Sequence, residues 1–359
     1  MSHHPHDAFH DDGPPIAQLQ AAVKTLDDYV QRVVPPSASL PPPPPPVAAQ
    51  SQGPTPLQRF ARQERVAGRW RDVSRAHVAV CGLGGPGAVA AEALVRAGVG
   101  RVFLVDHARV ELSAMGRVVF QPHEVGVSRT QALRLRLQSI ASSHTVVDSF
   151  TADLRSDMDL LELRKKLKIS SVGPTALKPP PGSVAGGSGG GLGLFEALTQ
   201  KRPYDAVLGC VDGDDDDDAL LALNAICLEL SLPLLVAELS PSDAQIAVRT
   251  VLPGRTCCLE CIRHAAREQE ASRAMDDVAA TIARAFPASL PHVELLAGGL
   301  LAQHTLKFLM EVGDVVPFYS LDAFAAELES FAFAPNPQCP NAVCQQLQQQ
   351  EAATESFSS

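Results

Sequence analysis

The sequence predicts an α/β fold, a doubly wound and mostly parallel sheet, on three observations. Short apolar runs of strand length alternate with helical patterns, the order expected when crossover helices link parallel strands. A glycine-rich turn, Gly82-Leu83-Gly84-Gly85-Pro86-Gly87, joins the first such run to the first helical pattern. An acid, Asp106, ends the second run.

His77–Cys81 (HVAVC) is a short apolar strand, and the Ala-rich Pro86–Ala97 is helical. Arg101–Val105 (RVFLV) is the second strand, followed by a helix over Thr130–Ile140. Asp205–Val211 (DAVLGCV) is the third strand and leads into Asp212. Asn224–Leu230 reads as helix, and Pro233–Ala237 and Gln245–Leu252 as strands. Val293–Met310 is a long apolar helix interrupted by glycine and polar residues. Residues 1–55 read as a polar tail with a possible short helix over Ile16–Val34 and a hexaproline spacer at Pro41–Pro46. The folded domain is expected over 56–345, with a flexible Gly/Pro-rich insert at 178–193 and a Gln-rich polar tail over 346–359.

Composition excludes several classes of function. Thirty Lys and Arg against forty Asp and Glu give a formal charge of −10, which disfavours nucleic acid and anionic membranes as partners. No uncharged apolar run approaches the ~18 residues of a spanning helix. The N-terminal MSHHPHDAFHDD has no apolar signal region, so a cytoplasmic protein is expected. In that setting, the eight cysteines point to metal or thiol chemistry before disulfides.

The glycine turn fits G-x-G-x-x-G between strand and helix, the Rossmann-like phosphate cradle. Asp106 follows at the distance at which an acid reaches a ribose hydroxyl. Strand, turn, helix and acid together indicate an adenine nucleotide, either ATP or a dinucleotide. Arg117 and Arg129 lie just beyond the acid and favour ATP, because guanidinium groups neutralise charge on a transferring phosphoryl group. An NAD(P) oxidoreductase has no such need.

Cys258-x-x-Cys261 and Cys339-x4-Cys344 are two close pairs far apart in sequence. Four thiolates in this pattern suit a closed, structural Zn²⁺ site that would fasten the C-terminal segment to the core. Cys81, Cys210 and Cys227 sit in apolar patterns and read as core, while Cys257 is a bystander beside the metal pair. His123 reads as structural, and His292 and His304 as packing or surface positions. The acidic run Asp214–Asp218 reads as a solvated loop.

On the stretches AVCGLGGPGAVAAEAL, VDHARVELSAMGRVVFQPHEVGVSRTQA, CVDG, CCLEC, ASLPHVELLAGGLLAQHTLKFL and NPQCPNAVC, the chain resembles the ubiquitin-activating, ThiF-type superfamily of adenylyltransferases, and within it the ufmylation branch. The resemblance implies ATP-dependent adenylation of the C-terminal carboxylate of a ubiquitin-fold modifier, hand-over to a conjugating enzyme, and a homodimer. By resemblance, Gly84 and Gly85 cradle phosphate and Asp106 holds ribose. Arg117 and Arg129 address the phosphates, Asp212 supports Mg²⁺ and transfer, and Cys258, Cys261, Cys339 and Cys344 hold zinc. Several positions depart from the family pattern. Gly116 and Gly213 stand where Asn is expected, as does another residue near Ala152; Arg129 replaces Lys; and Phe286 occupies the place of the thioester cysteine. These departures sustain an alternative reading, a non-catalytic homologue that acts as a binding module.

Overall fold

A computed structural model describes residues 59–67, 70–117, 119–168, 204–210, 216–239, 245–263 and 290–358, all within one unit, Pro56–Ser359. The element order is α1 (Ala61–Ala67), α2 (Trp70–Val73), β1 (His77–Cys81), α3 (Gly85–Ala97), β2 (Arg101–Val105), α4 (Arg129–Ile140), β3 (Val146–Phe150), α5 (Asp157–Lys168), β4 (Ala206–Gly209), α6 (Asp216–Glu229), β5 (Leu234–Leu239), β6 (Gln245–Val251), α7 (Pro291–Met310), β7 (Phe318–Asp322), β8 (Glu327–Phe331) and α8 (Ala342–Ser358). The strands form one eight-stranded sheet in the order β3-β2-β1-β4-β5-β6-β7-β8. The tail helix over Ile16–Val34, the polyproline stretch and the insert at 178–193 lie outside the described residues.

The parallel reading holds for β1 to β5, but β6, β7 and β8 pair antiparallel, so the sheet is mixed. Connection length accounts for two of these three pairings, β5 with β6 and β7 with β8. Only residues 240–244 separate β5 from β6 and only 323–326 separate β7 from β8, whereas a parallel return needs a crossover of a dozen or more residues. The acidic run is also corrected. Helix α6 begins at Asp216, so the end of the run is helical, while Asp214 and Asp215 lie outside the described residues. The exposed Asp218 pairs with Arg263 at 3.4 Å.

Both faces of the parallel half are covered. Along β1, Val78 and Val80 enter one core with α3 and α7, while Ala79 and Cys81 enter another with α5 and α6. All of β1 and all of β2 are buried, as in doubly covered parallel sheets. Helix α7 packs directly on α3, since a Cβ added at Gly298 would meet the Pro86 carbonyl and Val89 at 2.6 Å. Among the described residues, no helix is long and apolar enough to cross a membrane.

The strand order reverses at β1, with β2 and β3 to one side and β4 and β5 to the other. In open α/β sheets, ligands bind outside the carboxyl ends of the strands at such a switch point. The glycine turn leaves β1 there.

Candidate active site

The glycine turn is shaped by two close approaches. Gly82 has φ +88°, a conformation L side chains rarely adopt, and its N–H donates to the Val105 carbonyl at 2.9 Å. A Cβ added at Gly87 would overlap the Gly82 carbonyl, so α3 starts tight against the turn. Helix α3 has Gly84 at its N-cap, no side-chain cap and no acid in its first turn. Its leading N–H groups and positive dipole end suit an anion.

Asp106 fastens this turn. Its Oδ2 accepts from the Leu83 N–H at 2.7 Å, and its Oδ1 accepts from the Ala108 N–H at 2.6 Å. The carboxylate is only 7% exposed. Arg129, at the start of α4, brings Nη1 to 3.8 Å from Asp106 Oδ2. Its Nε is buried and has no hydrogen-bond acceptor among the described residues, a donor suited to an incoming oxyanion. On the rim, Arg155 bonds Asp153 at 3.0 Å and reaches the His107 Nε2 at 3.2 Å. The Arg155 hydrogen bond is the main cause holding the Asp153 carboxyl below its usual range. Beneath the turn, burial first and the Asp106 charge second push the Cys81 thiol up to about 12, so it is an inert core group.

Arg117 follows a short 3-10 turn, Leu112–Gly116, and donates from Nε to Glu294 Oε1 at 2.6 Å. Glu294 lies in the first turn of α7 and is fully buried. A Cβ added at Gly85 would overlap its carboxylate. Arg117 is therefore tied to the glycine turn through Glu294, a residue the sequence reading missed. The available signal was one acid on the apolar helix VELLAGGLLA, whose partner stands 177 residues away. Among the described residues, nothing lies within 4 Å of a Cβ added at Gly116, so a side chain there has space. His123 is exposed on its own short turn. Asp212, Gly213 and Phe286 lie outside the described residues.

The four paired cysteines come together. All are buried, and their sulfurs lie within 4.8 Å of one another. Neighbouring pairs are closer, with Cys258 to Cys261 and Cys258 to Cys339 at 3.6 Å and Cys261 to Cys344 at 3.9 Å. A tetrahedral ion with metal–sulfur bonds of about 2.3 Å sets its sulfurs about 3.8 Å apart, so the donor set fits a closed four-sulfur metal site. Outer partners hold the ligands. Asn341 Oδ1 accepts from the Cys344 N–H at 3.0 Å, and Gln348 Nε2 donates to Cys344 Sγ at 3.3 Å. Gln345 Nε2 donates to the Cys339 carbonyl at 2.7 Å. The Gln-rich end is thus a helix, α8, that turns two of its glutamines onto the cluster. Cys257 is 6% exposed and stands apart from the four.

Three comparisons bear on this arrangement. The ThiF family profile matches residues 60–172 and 192–341. "Ubiquitin-like modifier-activating enzyme 5" of Arabidopsis thaliana is 30% identical over 297 residues, 82% of this chain and 62% of the relative. The protein of that name from Bombyx mori is 26% identical over 340 residues, 93% of this chain and 77% of the relative. The chain thus spans less than two thirds of the plant relative. Among solved structures, E. coli MccB with ATP superposes with a TM-score of 0.56 at 17% identity, covering 79% of this chain and 74% of that one. MccB with MccA-N7isoASN gives 0.58 at 17% identity, covering 80% and 74%. At these identities the likeness is one of fold.

Proposed function

The chain belongs to the ThiF family, and from that premise we propose that it uses ATP to adenylate the C-terminal carboxylate of a ubiquitin-fold modifier of the ufmylation type. The names of the relatives supply the substrate class. The observation that carries the reading is Asp106, whose carboxylate binds the glycine turn at Leu83 and stands 3.8 Å from Arg129. Turn, acid and cation thereby meet at the switch point.

The chemistry follows from these groups. A carboxylate offers roughly four lone-pair sites, and two are taken by the Leu83 and Ala108 N–H groups. The others remain for ribose hydroxyls. The N-terminus of α3, Gly84 and Gly85 seat the phosphates, and Arg129 and Arg117 offset their charge. A carboxylate oxygen of the modifier attacks the α-phosphorus, the bond from that phosphorus to the bridging oxygen breaks, and pyrophosphate leaves with that oxygen. By the resemblance, Asp212 would hold a Mg²⁺ that would offset charge on the phosphates. Zinc at Cys258, Cys261, Cys339 and Cys344 is structural, since four protein ligands leave no open position.

We carry the reading as far as the acyl-adenylate. Phe286 at the cysteine's place offers no nucleophile, and Cys257 is buried. Partners on this reading are the modifier, its conjugating enzyme and a second copy of the chain. The open space at Gly116 favours the second reading, a binding module that has lost the chemistry. Modifier-dependent exchange of pyrophosphate into ATP separates the two readings.

A further inference from the structure

We propose that Glu294 is an internal anion that occupies the phosphate seat, and that ATP binds by displacing its carboxylate from Gly85 and Arg117. The inference rests on the ATP reading above and adds a residue that regulates nucleotide access.

Three observations support it. First, the Glu294 carboxylate lies where the Cβ of any residue but glycine at position 85 would stand. Missing side chains in such turns leave room for pyrophosphate to approach the backbone, and here a carboxylate fills that room. Second, the carboxylate sits beside the first turn of α3, a 13-residue helix that begins at Gly85 without a side-chain cap or an acid of its own. A carboxylate and a phosphate are equivalent charges for a helix N-terminus. Third, Glu294 Oε1 engages Arg117 at 2.6 Å, so one of the two cations available to phosphate is already neutralised.

The energetics favour exchange over coexistence. Glu294 is fully buried, whereas Arg117 retains 23% side-chain exposure. A nucleotide bringing several negative charges to Gly85 while Glu294 stayed in place would set like charges together in a poorly solvated space. Glu294 belongs to the first turn of α7, which begins at Pro291.

The test is nucleotide affinity in the full chain carrying Glu294→Gln, with Glu294→Leu as a second variant that removes the polar head. ATP is titrated by calorimetry, and adenosine, which lacks phosphate, is titrated by ligand-observed NMR. Removing a charge-assisted competitor should tighten ATP by about tenfold in E294Q, with adenosine affinity unchanged. ATP binding that is unchanged or weaker in folded E294Q overturns the proposal. So does equal tightening of ATP and adenosine, which would signal a general opening of the site. If both variants fail to fold, as judged by thermal melting, Glu294 is only a structural counter-ion and the proposal falls. Should wild type bind ATP while the variants gain nothing, the inference fails and the ATP reading stands. If neither wild type nor folded variants bind ATP, both fail.

Discussion

Replacing Asp106 by Asn keeps the side chain's size and removes its charge, so the site's construction predicts a twofold effect. In the native protein the carboxylate accepts from Leu83 at 2.7 Å and from Ala108 at 2.6 Å. A carboxamide has one accepting oxygen, and its NH2 group must then face the other N–H. One charge-assisted hydrogen bond is lost, about 1.5–3 kcal/mol, and 7% exposure leaves little water to compensate. Unfolding free energy from urea titration should therefore fall by about 2 kcal/mol. ATP affinity should fall at least about tenfold, because the ribose acceptor and the turn's anchor are the same group. D106N with stability within about 0.5 kcal/mol of wild type and unaltered ATP affinity would refute both roles. NAD binding more tightly than ATP would overturn the nucleotide assignment.

Further outcomes follow from other parts of the structure. Metal analysis should find one zinc per chain, lost on double Cys339/Cys344→Ser substitution. Because structural zinc contributes about 10 kcal/mol or more to its folded site, the melting temperature should drop with it; full zinc retention would refute the four-sulfur assignment. His304 is buried on α7, with Nε2 3.1 Å from the Val316 carbonyl, beside Lys307 and Tyr319. Burial, aided by the Lys307 charge, lowers its pKa. The unfolded chain then binds more protons just below about pH 6.5, so stability should fall as pH drops through that region. His304→Gln should flatten this slope in urea titrations at about pH 7 and 5; an unchanged slope would contradict it. Gly116→Asn fits the open space, so it should leave stability within about 0.5 kcal/mol and raise any adenylation rate; unfolding or a lower rate would contradict that.

The parts legible in the sequence were those with a local signature. β1, β2 and the helix after Gly82 follow from apolar runs flanking a glycine turn that only special backbone geometry explains. The meeting of four cysteines was legible because each pair has ligand spacing by itself. Long-range or mixed signals were not. β3 reads VVDSF, and its polar half hides a strand whose Asp148 pairs with Arg101 of β2. β8 reads ELESF, an exposed edge strand carrying two glutamates, and α5 begins with alternating acids. The antiparallel turns from β5 to β6 and from β7 to β8 depend on short connections, which composition does not reveal. Glu294 looked like a stray acid on an apolar helix, because its meaning lies in Arg117 and Gly85. Asp106 is marked in the sequence by its distance from the glycine turn, but its hold on the Leu83 N–H depends on the fold.

The central claim is that this chain activates a modifier's carboxylate with ATP. Purified full-length protein, Mg²⁺-ATP, labelled pyrophosphate and a ubiquitin-fold modifier of the ufmylation type make the most direct measurement. The account predicts incorporation of label into ATP that requires the modifier's free C-terminal carboxylate and is reduced in D106N, with no thiol-sensitive adduct on a non-reducing gel. Absence of exchange by folded, zinc-loaded protein that nonetheless binds the modifier would contradict the account in favour of a binding module.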